Sequence, residues 1–282
     1  VELSFKLYCC SKLKDFVFKY EDLLGKEIWD VLDEKIQEEP GAFLSAINSY
    51  ATRKKNIRIY LLIDEYDNFT NTILSTYGTE FYRKATHGEG FIRGFFNVIK
   101  SATTGTGAAL ERLFITGVSP VTMDDVTSGF NIGTNITNDS WFNDLVGFSE
   151  NELREMLEYY KEQGVLQESI DEIVAMMKPN YDNYCFSEDT LEQCMFNSDM
   201  ALYFLKSFVL HHKKPKEIVD PNIRTDFNKL AYLIKLDHGL GENFSVIKEI
   251  AEQGEIITDI VTHFSALEMT DPSNFKSLLF YF

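Results

Sequence analysis

The stretch Ile57-Arg58-Ile59-Tyr60-Leu61-Leu62-Ile63-Asp64-Glu65-Tyr66-Asp67 decides how this chain is read. From Ile57 to Ile63 only Arg58 is charged. A short apolar run rich in isoleucine suits a central parallel strand covered on both faces. The run stops at two adjacent carboxylates, Asp64 and Glu65. A strand that ends in acids holds the first of them rigidly at the carboxyl edge of its sheet, where open α/β sheets bind ligands.

Four apolar residues followed by Asp-Glu form the Walker B pattern. In that reading Asp64 holds Mg²⁺, through water, and Glu65 orients or deprotonates the water that attacks a γ-phosphate. Asp67 hydrogen-bonds the local loop or joins the outer shell of the metal. Alone the pattern is weak, because strand ends meet solvent and often carry acids. A second apolar run strengthens it. Leu113-Phe114-Ile115-Thr116-Gly117-Val118 reads as another buried strand, leading into Ser119 and Pro120. A polar residue at the end of a neighbouring strand can contact the attacking water or the γ-phosphate. Thr116 fits that role best and Ser119 is the alternate, with an N-cap serine as the competing reading for Ser119.

Outward from these runs, strand-like and helix-like pieces alternate. Val1 to Cys9 alternates apolar and polar residues and reads as a strand. Ile28, Val31, Leu32 and Ile36 share a helical face, which Pro40-Gly41 ends. Phe43, Leu44, Ile47 and Tyr50 begin a second helix, and Phe91, Phe95, Val98 and Ile99 mark a third. Thr103 to Gly107 is a loop. This order predicts a parallel α/β sheet. The pattern changes near Phe148. Ser149-Glu150-Asn151-Glu152 is a capping box, and Gly164 is a natural helix stop. Helical stripes follow at Ile170/Ile173/Val174/Met177, Tyr203/Phe204/Phe208/Leu210, Leu230/Leu233/Ile234 and Phe275/Leu278/Leu279/Phe282.

Composition narrows the function classes. Of the 282 residues, 44% are hydrophobic and 14% aromatic, enough to build a core. No apolar run approaches the ~18–20 residues of a membrane span, so no membrane partner is expected. A net charge of −17 repels phosphate backbones, so direct nucleic-acid binding is not expected. The basic clusters Arg53-Lys54-Lys55 and His211-His212-Lys213-Lys214 sit at helix ends, where cations complement the dipole. The four cysteines form no CxxC pair and read as free thiols in a reducing cytoplasm. The strand-like start without Met reads as the interior of a longer protein.

The strings Leu62-Ile63-Asp64-Glu65-Tyr66-Asp67 and Phe114-Ile115-Thr116-Gly117-Val118-Ser119-Pro120 together resemble the AAA-ATPase-like family of bacterial and archaeal proteins. Phe91-Ile92-Arg93-Gly94-Phe95-Phe96, Val146-Gly147-Phe148-Ser149-Glu150, Tyr184-Cys185-Phe186-Ser187, Asn197-Ser198-Asp199-Met200 and Asp220-Pro221-Asn222-Ile223 extend the resemblance from about residue 55 to the end. It implies an α/β fold with a parallel-sheet, P-loop NTPase-like (AAA-type) core over residues 1–148. A helical lid and helical extension then occupy residues 149–282. It implies ATP and Mg²⁺ as cofactors, a homo-oligomer, and a C-terminal nuclease-like effector domain of the PD-(D/E)XK superfamily elsewhere in the full-length protein. Asp64, Ser119 and Arg224 would contact the nucleotide or its metal, and Glu65 and Thr116 would be catalytic. Arg93 is a second candidate arginine, acting across a subunit interface. For both arginines a surface ion pair is the plainer reading.

The family also carries a Gly-rich loop ending in Gly-Lys-Ser, and these 282 residues contain no GxxxxGK[ST]. Gly25-Lys26 runs into Glu27, and Gly105-Thr106-Gly107 into alanine. Without such a loop nothing cradles the β- and γ-phosphates. The expectation is therefore an ATP switch whose loop lies upstream, with this segment inactive alone. The alternative is a non-catalytic ATPase-like scaffold. A nuclease using Asp64, Glu65 and Asp67 directly would want a lysine at position 67, which is Asp. Among the remaining candidates, His87 reads as a solvent-exposed loop histidine. Tyr181, Tyr184 and Phe186 form an aromatic cluster that packs a core or stacks an adenine.

Overall fold

The computed structural model describes residues 1–54, 57–104, 108–118, 121–126, 133–221, 242–262, 264–265, 268 and 271–281. The chain divides into two compact units, Val1–Gly133 with Asp226–Phe282, and Thr134–Thr225. The sequence suggests a division at residue 148 instead. The observed first unit takes back the C-terminal segment.

The first unit is mostly helical around one small sheet. Strands β1 (Ile59–Ile63) and β2 (Leu110–Ile115) pair in parallel. Their register sets Leu61 beside Leu113, Leu62 beside Phe114 and Ile63 beside Ile115. Side chains alternate across a strand, so the pairs fall on opposite faces. Ile59, Leu61, Ile63, Leu110, Leu113 and Ile115 join the core. Tyr60, Leu62 and Phe114 point the other way and are 60%, 73% and 44% exposed. Arg112 lies over the Tyr60 ring on that open face, 5.8 Å from its centroid. The expectation of a strand covered on both faces is therefore corrected, because among the described residues only one face is packed.

The N-terminal segment is also corrected. It is helix α1 (Glu2–Lys19), not a strand. The alternation over Val1 to Cys9 is local. The longer spacing Val1, Phe5, Cys9/Cys10, Leu13, Phe16/Val17 is helical, and these residues face the core. Phe5 fixes the helix in place, with ring centroids 5.4 Å from Phe69, 5.3 Å from Phe91 and 5.7 Å from Phe95.

After α2 (Glu21–Leu24), helices α3 (Ile28–Val31) and α4 (Glu34–Glu38) replace the single helix expected over residues 28–36. The break is at Leu32, whose ψ of 78° leaves the helical region. Asp33 then caps α4 by accepting from the Ile36 amide. Pro40 opens α5 (Pro40–Arg53) at its first turn, where its missing amide is harmless. α5 buries Phe43, Leu44, Ile47 and Ala51 and grips the start of β2. The Asn48 Oδ1 accepts from the Leu110 amide at 2.8 Å, and the Thr52 hydroxyl accepts from the Ala109 amide at 3.1 Å.

After β1 comes α6 (Asn68–Thr86), interrupted at Gly78, and then α7 (Phe91–Thr103). α7 packs against both α5 and β2 through Ile92, Phe96, Ile99 and Ala102. A short α8 (Val121–Val126) follows β2. Helices Glu242–Gln253 and Pro272–Phe280 complete the described part of this unit, with Val246, Phe275 and Leu278 in its core. No helix among the described residues is long and apolar enough to cross a membrane.

The second unit is helical. α9 (Glu150–Glu162), α10 (Ile170–Tyr181) and α11 (Ser198–His211) pack Leu153, Leu157, Ile173, Val174, Met177, Phe204 and Phe208 together. The capping box forms as the sequence suggests. The Ser149 hydroxyl accepts from the Glu152 amide at 3.2 Å, and the Glu152 carboxylate accepts from the Ser149 amide at 2.9 Å. Gly164 ends α9 with φ of 71°. Lys178 and then Arg154 hold the Glu150 carboxyl below its ordinary range. The stripe expected over Leu230 to Ile234 lies outside the described residues.

The two faces of the sheet unit should differ sharply in urea unfolding. Leu110→Ala, on the packed face of β2, empties a buried site and should cost about 2–5 kcal/mol. Leu62→Ala, on the open face, should stay within about 0.5 kcal/mol of wild type. Equal losses would contradict the assigned faces.

Candidate functional site

Pairing of the two strands continues one step past their ends. The Thr116 amide donates to the Ile63 carbonyl at 2.8 Å, and the Tyr66 amide donates to the Thr116 carbonyl at 3.0 Å. Asp64 and Glu65 lie between those two bonds. The chain leaves the ladder at Asp64 and returns at Tyr66, so both acidic side chains are put out at the carboxyl edge, exposed. Glu65 takes a left-handed conformation, φ 52°, to make the turn. That region is costly for a residue with a Cβ. Its carbonyl then accepts from the Asn68 amide at 3.0 Å as α6 begins.

The structure brings Asp64 and Thr116 together. The Thr116 hydroxyl donates to Asp64 Oδ1 at 2.5 Å, across 52 residues of chain. Asn68 Nδ2 donates to Glu65 Oε2 at 3.1 Å. Two carboxylates and one hydroxyl therefore converge on the same strand ends, exposed enough to meet water or an ion. Hard oxygen donors of this kind suit Mg²⁺, which keeps several waters and needs only one or two carboxylates.

Asp67 differs from its two neighbours. It is 1% exposed, and its carboxylate accepts from the Val118 amide at 3.1 Å and from Asn71 Nδ2 at 2.8 Å. It binds the local loop, one of the two roles the sequence leaves open. Gly117, between Thr116 and Val118, lies so close to Tyr66 that a Cβ there would collide with the ring. Asn68, Asn71 and Gly117 are the residues that sequence reading did not single out. Polar side chains one helical turn after an acidic strand end were the available signal for the two asparagines.

Other candidates separate from this cluster. Ser119 and Arg224 lie outside the described residues. Arg93 is half-buried on α7 and makes no ion pair among the described residues, so its expected surface ion pair is not seen there. His87 is held more firmly than a free loop residue. Its Nδ1 is 2.9 Å from the Thr86 hydroxyl and its Nε2 is 3.5 Å from buried Asp125, which also accepts from the Tyr82 hydroxyl at 2.7 Å. In the second unit Tyr181 is a core residue, edge-on to Phe204, with its hydroxyl donating to the Ile218 carbonyl. Tyr184 and Phe186 instead line a shallow cavity of about 150 Å³ with Gly147 and Phe196. All four cysteines are free, and burial pushes the Cys9 thiol up to about 12, so it stays protonated at neutral pH.

The model of the AAA-ATPase_like family, described as a predicted AAA-ATPase, matches residues 1–127. This agrees with the family resemblance read from the sequence and takes in both strand ends. No curated protein and no solved structure matches the chain.

The left-handed turn at Glu65 gives a direct test of the geometry. Glu65→Gly should stabilise the protein by about 0.5–1 kcal/mol in urea unfolding, because glycine adopts this conformation without the Cβ penalty. A loss of stability would contradict the left-handed turn.

Proposed function

We propose that the carboxyl edge of the β1–β2 sheet is the metal-and-water half of an ATP-hydrolysing switch module. The observation that carries this reading is the 2.5 Å bond from Thr116 to Asp64 at paired strand ends, with Glu65 exposed beside it. The match of the AAA-ATPase_like family model to residues 1–127 supports it at the level of a predicted AAA-ATPase.

Each group has a distinct task in this account. Asp64 would hold Mg²⁺ through Oδ2 or a bound water, since Oδ1 already accepts from Thr116. The ion, when bound, would neutralise charge on the transferring phosphoryl group. Thr116 donates its hydroxyl hydrogen bond to Asp64, so the lone pairs of the Thr116 oxygen would be left to accept from a water and aim it. Glu65 would take the proton of the attacking water. Asn68 holds one oxygen of Glu65 and leaves the other available.

The phosphate side of the site is not matched by these residues. No GxxxxGK[ST] is present, so the phosphate-binding loop of the working module would come from outside this segment. Ser119 and Arg224 are the proposed additional contacts to nucleotide. In the full-length protein, hydrolysis would switch an attached effector. The missing loop sequence favours a second reading, in which the fold serves as a scaffold without hydrolysis.

Glu65→Gln in the full-length protein separates the two. Under the first reading Mg²⁺-dependent phosphate release from ATP falls by roughly 10²-fold or more, as expected on removing a general base, while Asp64→Ala also abolishes the metal dependence. A full-length wild type that releases no phosphate would sink the enzymatic reading.

A further inference from the structure

Asp67 stands at the N-cap of α6, where an aspartate ordinarily turns its carboxylate onto the first amides of its own helix. Here it makes no such cap. Its backbone carbonyl serves the helix instead, accepting from the Asn71 amide at 2.8 Å and the Thr70 hydroxyl at 2.7 Å. The carboxylate crosses to the segment after β2 and accepts from the Val118 amide, 51 residues away. Its second oxygen accepts from Asn71 Nδ2.

A carboxylate withdrawn from water is unfavourable unless hydrogen bonds replace those it gave up. Asp67 has such replacements, and it is 1% exposed. Its partner segment is the one that carries Thr116. The Thr116 backbone is fixed on both sides, by Ile63 and Tyr66. Its hydroxyl direction also depends on where the chain goes next, through Gly117 and Val118. Gly117 is pressed between the Tyr66 ring and the Asp67 carboxylate, with Asp67 Oδ1 only 2.9 Å from the position a Cβ would take. Tyr66-Asp67 and Gly117-Val118 therefore close on each other like two sides of a clasp.

We propose that Asp67 is a positioning residue that clasps the Thr116–Val118 segment to the Asp64-Glu65 turn and so holds the Thr116 hydroxyl on Asp64. It acts through the Val118 amide and does not bind the metal. The functional half of this proposal rests on the ATPase reading above, whereas the clasp itself does not.

The test compares the full-length wild-type protein with Asp67→Ala, Asp67→Asn and the swap Asp67→Asn/Asn71→Asp. The swap keeps an oxygen for the Val118 amide and reverses the bond between positions 67 and 71. In Asp67→Ala, hydrogen exchange at the Val118 amide should quicken by roughly tenfold or more, as expected on losing a bond to a charged acceptor. The swap should bring exchange back toward wild type, and Asp67→Asn should lie between. Turnover should follow the same order through kcat, with KM for ATP and the Mg²⁺ dependence unchanged. Should Asp67→Ala fail to fold, Asp67→Asn against the swap makes the same comparison. Unchanged exchange at Val118 would overturn the clasp. Faster exchange with unchanged kcat would overturn its positioning role, and a loss rescued by raised Mg²⁺ would make Asp67 a metal-site residue. A wild type without turnover would remove the ATPase reading and leave the exchange comparison to decide the clasp.

Discussion

Two backbone hydrogen bonds hold the carboxyl edge together: Thr116 to Ile63 and Tyr66 to Thr116. They extend the parallel pairing past the strands and force Asp64 and Glu65 out between them. Everything chemical at the edge follows from that excursion. It sets Asp64 within reach of the Thr116 hydroxyl and puts Glu65 in a left-handed turn. Strained backbone persists where surrounding structure over-determines it. Here the determinants are the ladder on one side of the turn and the first turn of α6 on the other.

The rest of the unit keeps that edge in register. Asn48 and Thr52 on α5 hold the start of β2, so the far end of the strand arrives at a defined height beside β1. Phe5 binds α1 to the beginnings of α6 and α7. α7 packs along α5 and β2. Among the described residues only one face of the sheet takes part in this packing. A parallel sheet normally has both faces covered. The open Tyr60, Leu62 and Phe114 side is thus the least conventional feature of the unit.

What was legible in the sequence was local. The apolar run to Ile63 and its acidic end gave β1 and the site carboxylates. Ser149 with Glu152 gave the start of α9, because a capping box is contained within four residues. The alternation over Val1 to Cys9 reads as a strand, but it is shorter than the 18-residue helical spacing of α1 that prevails. The open sheet face was hidden in β1, where apolar residues sit on both sides. It was signalled in β2, where Glu111 and Arg112 interrupt the apolar pattern. The Asp67–Val118 contact was beyond reach, since it joins residues 51 apart and departs from the usual behaviour of an N-cap aspartate.

The central claim is that Asp64 and Thr116 form one unit at the strand ends, serving one reaction. A double-mutant cycle with Asp64→Asn and Thr116→Val, read by Mg²⁺-dependent ATP turnover of the full-length protein, tests it most directly. The account predicts strong coupling: once either residue is altered, altering the other costs little more, with a coupling energy of about 1 kcal/mol or more. Losses that simply multiply, or turnover indifferent to both changes, would contradict it.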